Sequence, residues 1–211
     1  MLEALGVGCV RGDRRLFSDV GFALPPGRLL RVSGANGSGK TSLLRILCGL
    51  LTPAEGEVRW NSAAIGSQRE DYHRRLVYIG HLNGLKDELT PPENLEVAAA
   101  LAGISADRKA CLAALDAVGL AHFSDLAVRH LSQGQRRRVA LSRLALSAAA
   151  PLWILDEPFT ALDARAVGQL ERVIAGHIRA GGMAVLTTHM EVPIAGVETL
   201  RLDLDALGGR A

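Results

Sequence analysis

Apolar positions follow two different periods along this chain, and the switch between them marks its parts. Residues 2–10 and 19–24 carry the short apolar patterning of strands, separated by the polar turn Arg11-Gly12-Asp13-Arg14-Arg15 and closed by Pro25-Pro26-Gly27. An antiparallel pair is expected there. Leu29-Leu30-Arg31-Val32-Ser33 reads as a third strand that runs directly into a glycine-rich turn. Over residues 40–51 the spacing becomes helical, with Leu43, Leu44, Ile46, Leu47, Leu50 and Leu51 in phase until Thr52-Pro53 stops it. Residues 57–60 and 75–80 are brief strands, and the unbroken run Leu76-Val77-Tyr78-Ile79 suits one buried on both faces.

After Gly84 the pattern is helical. Thr90-Pro91-Pro92-Glu93 is a capping box with proline in the first turn, opening an Ala/Leu-rich helix that Gly103 ends. Asp107 opens a second, with Leu112, Leu115 and Val118 on one face and Gly119 as its C-terminal cap, and a third begins near Ser132. Beyond it, residues 152–155 (strand), 164–180 (helix, capped by Asp163 and ended by Gly181-Gly182) and 183–188 (strand) alternate, and a weaker helix and strand follow. The expected architecture is a single α/β domain over residues 1–211. Its core lobe comes from residues 1–84 and 149–211, with a helical insertion at 85–148 between them.

Of 211 residues 48% are apolar and only 4% aromatic, so the core must be built from Leu, Val, Ile and Ala. Twenty-four basic against 22 acidic side chains leave a formal charge of +2, too balanced for an electrostatic nucleic-acid binder, and no nucleic-acid partner is expected. Arg136-Arg137-Arg138 is read as a solvated or ion-paired helix face. Cys9, Cys48 and Cys111 have neither zinc spacing nor a disulfide pattern, which fits a reducing compartment. The longest uncharged stretch, residues 144–155, is 12 residues and contains Pro151, short of the roughly 20 that span a bilayer. No signal peptide is read at the N-terminus, so a cytoplasmic location is expected.

The glycine-rich turn carries the first chemistry. Gly34-Ala35-Asn36-Gly37-Ser38-Gly39-Lys40-Thr41, between a strand and a helix, is a P-loop: its glycines let backbone amides and the helix N-terminus converge on a phosphate chain. Lys40 reaches the β- and γ-phosphates, Thr41 is placed to ligate Mg²⁺, and Ser42 closes the nucleotide-binding stretch as a helix residue. Asp156 and Glu157 end the apolar strand at 152–155, where open α/β sheets bind ligands. Asp156 is assigned to the Mg²⁺ side through a bound water, and Glu157 to the base that polarises the attacking water. Ser132 and Gln135 form a capping pair; with Gly134 and the helix N-terminus they present a second anion site. That site is useful if two copies pair head to tail, each Ser132 facing the γ-phosphate held by the other.

The order of these features, followed by Ala161-Leu162-Asp163 and by His189 after a strand, resembles the ATP-binding cassette (ABC) ATPases over nearly the whole chain. The resemblance implies a RecA-like P-loop NTPase core with an antiparallel β subdomain and an inserted α-helical subdomain, and ATP hydrolysis with Mg²⁺ in a head-to-tail dimer. It further implies that Asp163 lies at the dimer interface and that His189 senses the γ-phosphate. Three positions depart from the family pattern: His81 for glutamine on the metal side, Gln133 for a glycine free to adopt positive φ, and Arg11 for an aromatic residue, where guanidinium can also stack on adenine.

Gly80-His81, Gly84-Leu85-Lys86, Glu88-Leu89-Thr90 and the run from Leu152 to Asp163 resemble, within that family, the ATP-binding subunits of haem exporters. Against this stands Leu82-Asn83 in place of Gln-Pro. The likeness implies separate transmembrane permease subunits, a peripheral position on the cytoplasmic face of the inner membrane, and haem contacted only through those partners, as the chain contains no CxxCH. Haem export and release of a haem-loaded carrier both remain open. Another small ABC exporter and a soluble non-transport cassette are the alternative functions.

Overall fold

A computed structural model of the chain describes residues 1–189 and 194–207. Its strands and helices, in chain order, are β1 (Leu2–Arg11), β2 (Arg14–Leu24), β3 (Leu29–Ser33), α1 (Lys40–Leu47), β4 (Glu55–Trp60), β5 (Ala63–Ala64), α2 (Arg69–His73), β6 (Leu76–Ile79), α3 (Pro91–Leu101), α4 (Arg108–Asp116), α5 (Gln133–Leu146), β7 (Leu152–Leu155), α6 (Ala164–Arg179), β8 (Met183–Thr187) and β9 (Thr199–Asp203). The fold is the α/β type expected.

Two sheets organise it. One is antiparallel, with order β2-β1-β4-β5; the other is wholly parallel, with order β6-β7-β8-β3-β9. Within the parallel strands successive side chains enter opposite cores, as a pleat buried on both faces requires. Leu30, Val32, Leu152, Ile154 and Val185 face α1 and the antiparallel sheet. Leu29, Trp153, Leu155, Ala184 and Leu186 face α5 and α6. A third cluster, with Leu95, Cys111, Leu115, Leu120, Val128 and Val139, holds α3, α4 and α5 together. Helix α5 serves two cores, because Val139 points into this cluster while Ala140, Leu141 and Leu144 pack on the parallel sheet.

Several boundaries differ from the sequence expectation. The β1–β2 turn is only Gly12-Asp13; Arg14 and Arg15 are already strand, and Arg15 pairs with Glu55 at 3.0 Å on the exposed edge. Polar side chains at a solvated sheet edge do not oppose extended backbone. Helix α1 ends at Leu47 rather than at 51, because Gly49 adopts φ +69° and the amides of Leu50 and Leu51 turn back to the Arg45 carbonyl. The segment Ala63–His73, with β5, a 3-10 turn and α2, was not anticipated. The weaker helix expected after residue 188 falls partly on residues 190–193, outside the described ones, and residues 194–198 contain none.

Candidate active site

The carboxyl ends of β3, β7 and β8 meet at one rim of the parallel sheet, since Val32 pairs with Thr187 and Leu155 with Leu186. The phosphate-loop residues and the Asp156-Glu157 pair approach this rim. After β3, the chain turns through Gly34, Gly37 and Gly39 at φ of +145°, +83° and +101°, a conformation in which side chains are strained. At Gly39 there is also no room, as a Cβ would lie 2.9 Å from the buried Phe17 ring of β2. Glycine here is therefore required twice over. The turn delivers the start of α1, whose first amides have no side-chain cap. Lys40 is 8% exposed and its Nζ donates to the carbonyls of Gly34 (2.8 Å) and Ala35 (3.1 Å), holding the ammonium across the loop.

At the end of β7 the Asp156 carboxylate is buried and fully engaged. Thr41 Oγ1 donates to one oxygen at 2.8 Å and Thr187 Oγ1 to the other at 2.7 Å. The Thr187 hydroxyl also accepts from the Glu157 amide at 2.8 Å. Glu157 itself has φ +47°, unusual for a residue with a side chain. Its Oε1 lies 3.2 Å from His189 Nε2. Asp156 thus links the phosphate loop to the two strands behind it, and Glu157 projects beyond them.

A cleft of about 590 Å³ opens over these groups. Arg11, Asn36, Gly37, Gly39, Lys40, Thr41, Ser42, His81, Asp156, Glu157 and His189 all line it, so most of the residues singled out from the sequence converge on one space. Gly34, Ala35 and Ser38 belong to the same loop but do not line the cleft. Neither do Ser132, Gly134, Gln135 and Asp163. Ser132 caps α5, accepting from the Gln135 amide at 3.2 Å while its own amide donates to Gln135 Oε1 at 2.8 Å. Asp163 caps α6 through the Ala166 amide at 2.8 Å. A Cβ on Gly134 would lie 2.6 Å from the Ala161 carbonyl oxygen, so α5 and the segment before α6 are in backbone contact. Gln133, the departure from the family's glycine, is the first helical residue of α5 and does not adopt positive φ.

Sequence reasoning missed four participants. Thr187 looked like one more residue of a buried strand. Asp205, just past β9, accepts the Ala35 amide on both carboxylate oxygens, at 3.0 and 2.8 Å. Arg137 and Asn83 meet at 3.0 Å beside the site. The reading of the arginine run as a solvated or ion-paired face holds for Arg136, which pairs with Asp87 at 2.9 Å, but not for Arg137, which is 4% exposed. Burial pulls the Arg137 pKa below the usual guanidinium range, with the nearby Asp156 and Glu157 charges opposing that shift.

A phosphate loop at the head of a parallel sheet, facing two carboxylates on the neighbouring rim, defines a P-loop nucleotide hydrolase. The ABC transporter family pattern matches residues 17–160, and the chain belongs to that family as an ATP-binding, ATP-hydrolysing cassette. It is 53% identical over 97% of its length to the cytochrome c biogenesis ATP-binding export protein CcmA of Aromatoleum aromaticum, 95% of which is covered. The protein of the same name from Dechloromonas aromatica is 54% identical, with 96% of this chain and 100% of that one covered. A solved ATP binding subunit of an ABC transporter superposes with a TM-score of 0.81 at 28% identity, over 90% of this chain and 80% of the other.

Proposed function

We propose that this cassette is the ATP-hydrolysing subunit of an exporter serving cytochrome c biogenesis, and that it hydrolyses ATP in the cleft at the head of the parallel sheet. The observation that carries the chemistry is the convergence of Lys40, Thr41, Asp156, Glu157 and His189 on that single cleft. The amides of the loop from Gly34 to Thr41 and the Lys40 ammonium hold the phosphates, with Arg11 at the adenine end. Thr41 and Asp156 supply a hydroxyl and a carboxylate 2.8 Å apart, hard oxygen donors that suit Mg²⁺, and His81, which lines the same cleft, would reach it through a water. Mg²⁺ held by Thr41 and Asp156 would supply positive charge against the phosphates. Glu157 takes the proton of the attacking water, and His189, next to it, senses the γ-phosphate.

Ser132, Gly134, Gln135 and Asp163 stand outside the cleft, and exposed Ser132 caps a helix of 14 residues; this supports a head-to-tail dimer in which they complete the partner's site. Among the described residues no helix is long and apolar enough to cross a membrane. The path is assigned to a separate permease, as in the export role named for the cytochrome c biogenesis relatives, with this subunit peripheral to the inner membrane on its cytoplasmic face. A groove of about 260 Å³ between α3, α5 and β6, bordered by Tyr78, Leu95, Ala99 and Leu146, supports docking of such a partner against the helical insertion. Leu82 and Leu101 are exposed apolar side chains on the loop after β6 and on α3. Haem is contacted by the partners only.

Glu157→Gln tests the chemistry. ATP binding should persist while turnover falls by about two to four orders of magnitude, the usual worth of a positioned base; turnover at the unmodified rate would remove Glu157 from that role. Deleting the gene tests the pathway: covalent c-type cytochromes should vanish from haem-stained gels while b-type spectra persist. Normal c-type cytochromes would leave only the general transporter reading.

A further inference from the structure

The middle arginine of the basic run is used differently from its neighbours. Arg136 bonds to Asp87 and the Arg129 carbonyl, and Arg138 to the Val118 carbonyl, all within the helical segment. Arg137 leaves it. One terminal nitrogen, Nη1, donates to the Gly80 carbonyl at 2.9 Å and to Asn83 Oδ1 at 3.0 Å, on the loop that carries His81. The other, Nη2, donates to the carbonyls of Asp156 at 2.7 Å and Glu157 at 2.9 Å. Four bonds to two separate segments over-determine the position of a planar guanidinium. A structural arginine so deeply buried would ordinarily face a carboxylate; three of these acceptors are main-chain carbonyls, two of them of the carboxylate residues that carry the site, and the fourth is the Asn83 side-chain oxygen.

We propose that Arg137 is a positioning residue for hydrolysis, a strut that fixes the Glu157 peptide and ties it to the His81 loop. The inference rests on the assignment of Glu157 as the base and deepens it. Glu157 sits at φ +47°, a backbone state that persists only when its surroundings impose it. Its amide is held by Thr187 and its carbonyl by Arg137, so both flanking peptides are fixed and the carboxylate direction follows. Arg137 stands five residues after the Ser132 cap on α5, so a shift of that helix start is passed to Glu157 and to Gly80 together. Lysine could not do this, because one ammonium cannot span four acceptors arranged for a fork.

The test is a double-mutant cycle on the whole protein with its partner subunits, reading single-turnover ATP hydrolysis, ATP KM and the number of ATP sites titrated by calorimetry. Arg137→Gln should lower kcat by about 10- to 100-fold, as expected for a displaced catalytic group, with KM and site number unchanged. In the Glu157→Gln background the same substitution should cost nothing further. Asn83→Ala, which removes one acceptor at a half-buried residue of an exposed loop, should lower kcat by about 2- to 5-fold and likewise lose its effect beside Glu157→Gln; this arm decides the matter if Arg137→Gln does not fold. Equal losses in both backgrounds, an unchanged kcat, or a site number that falls with kcat would each overturn the inference. If Glu157→Gln alone leaves turnover normal, it is the base assignment that has failed.

Discussion

Replacing Thr187 by valine keeps the shape of a fully buried side chain and deletes one hydroxyl that serves two partners. The loss can be worked out bond by bond. The O–H bond to Asp156 Oδ1 at 2.7 Å is to a charged acceptor, worth about 1.5–3 kcal/mol. Asp156 keeps its Thr41 bond at 2.8 Å, so the lower end applies. The Glu157 amide loses its acceptor, which costs about 1–3 kcal/mol for a buried donor, again reduced because Glu157 is only half-buried. The sum is about 3 kcal/mol, which for a chain of this size lowers the melting temperature by about 6–12 °C. Thr187→Ser retains the hydroxyl and should lose less than half as much, a methyl group only. Urea titration of the three proteins separates the cases. A valine variant within about 0.5 kcal/mol of the parent, or a serine variant equally damaged, would refute the view that the hydroxyl and not the packing matters here.

Lys40→Ala should lower ATP affinity by at least about 100-fold in calorimetry, because it removes the side-chain positive charge from a loop otherwise built of backbone amides; unchanged affinity would refute the loop's role. His177 stacks on Trp153 at 3.8 Å, and burial holds its pKa below the ordinary 6.5 despite a bond from its ring to the Met183 carbonyl. A depressed imidazole value means the unfolded chain takes up the proton first, so this contribution is intact above pH 6.5 and is lost as pH falls through the folded value. Urea midpoints at pH 7.5 and 5.5 should converge in His177→Phe relative to the parent, and an identical pH dependence in both would show that another group governs it.

The elements that could be read in the sequence are those whose signals are local. The Thr90 cap is one: its amide donates to Glu93 Oε2 at 2.7 Å, within a single turn. The boundaries that shifted are those that apolar spacing does not mark, such as the end of α1 at the Gly49 turn. Leu50 continued the helical period of α1 but is 54% exposed, so its apolar character said nothing of a core. The short α2 carries too few residues for any period to register, and what fixes it is Tyr72, whose hydroxyl donates to the Leu47 carbonyl at 2.6 Å. No residue-type pattern announces a bond of that kind.

The site divides in the same way, and the division has a physical content. Lys40, Thr41, Asp156 and Glu157 stand in short motifs whose spacing follows from one strand and one turn. Thr187, Arg137 and Asp205 act on groups 19 to 170 residues away, and each binds main chain as well as or instead of side chain. Backbone acceptors are chemically identical everywhere, so a sequence cannot show which carbonyl a guanidinium will find. The consequence is concentrated between residues 157 and 163. Glu157 and Ala161 both have positive φ, and α5 touches this segment twice, by Arg137 at the Glu157 carbonyl and by Gly134 against the Ala161 carbonyl. Asp163 then caps α6. One helix therefore grips both ends of a strained turn that joins the proposed base to the start of α6. Displacing α5 along its axis cannot move one end without the other, so the carboxylate and the α6 cap are expected to answer a change at Ser132 as a unit.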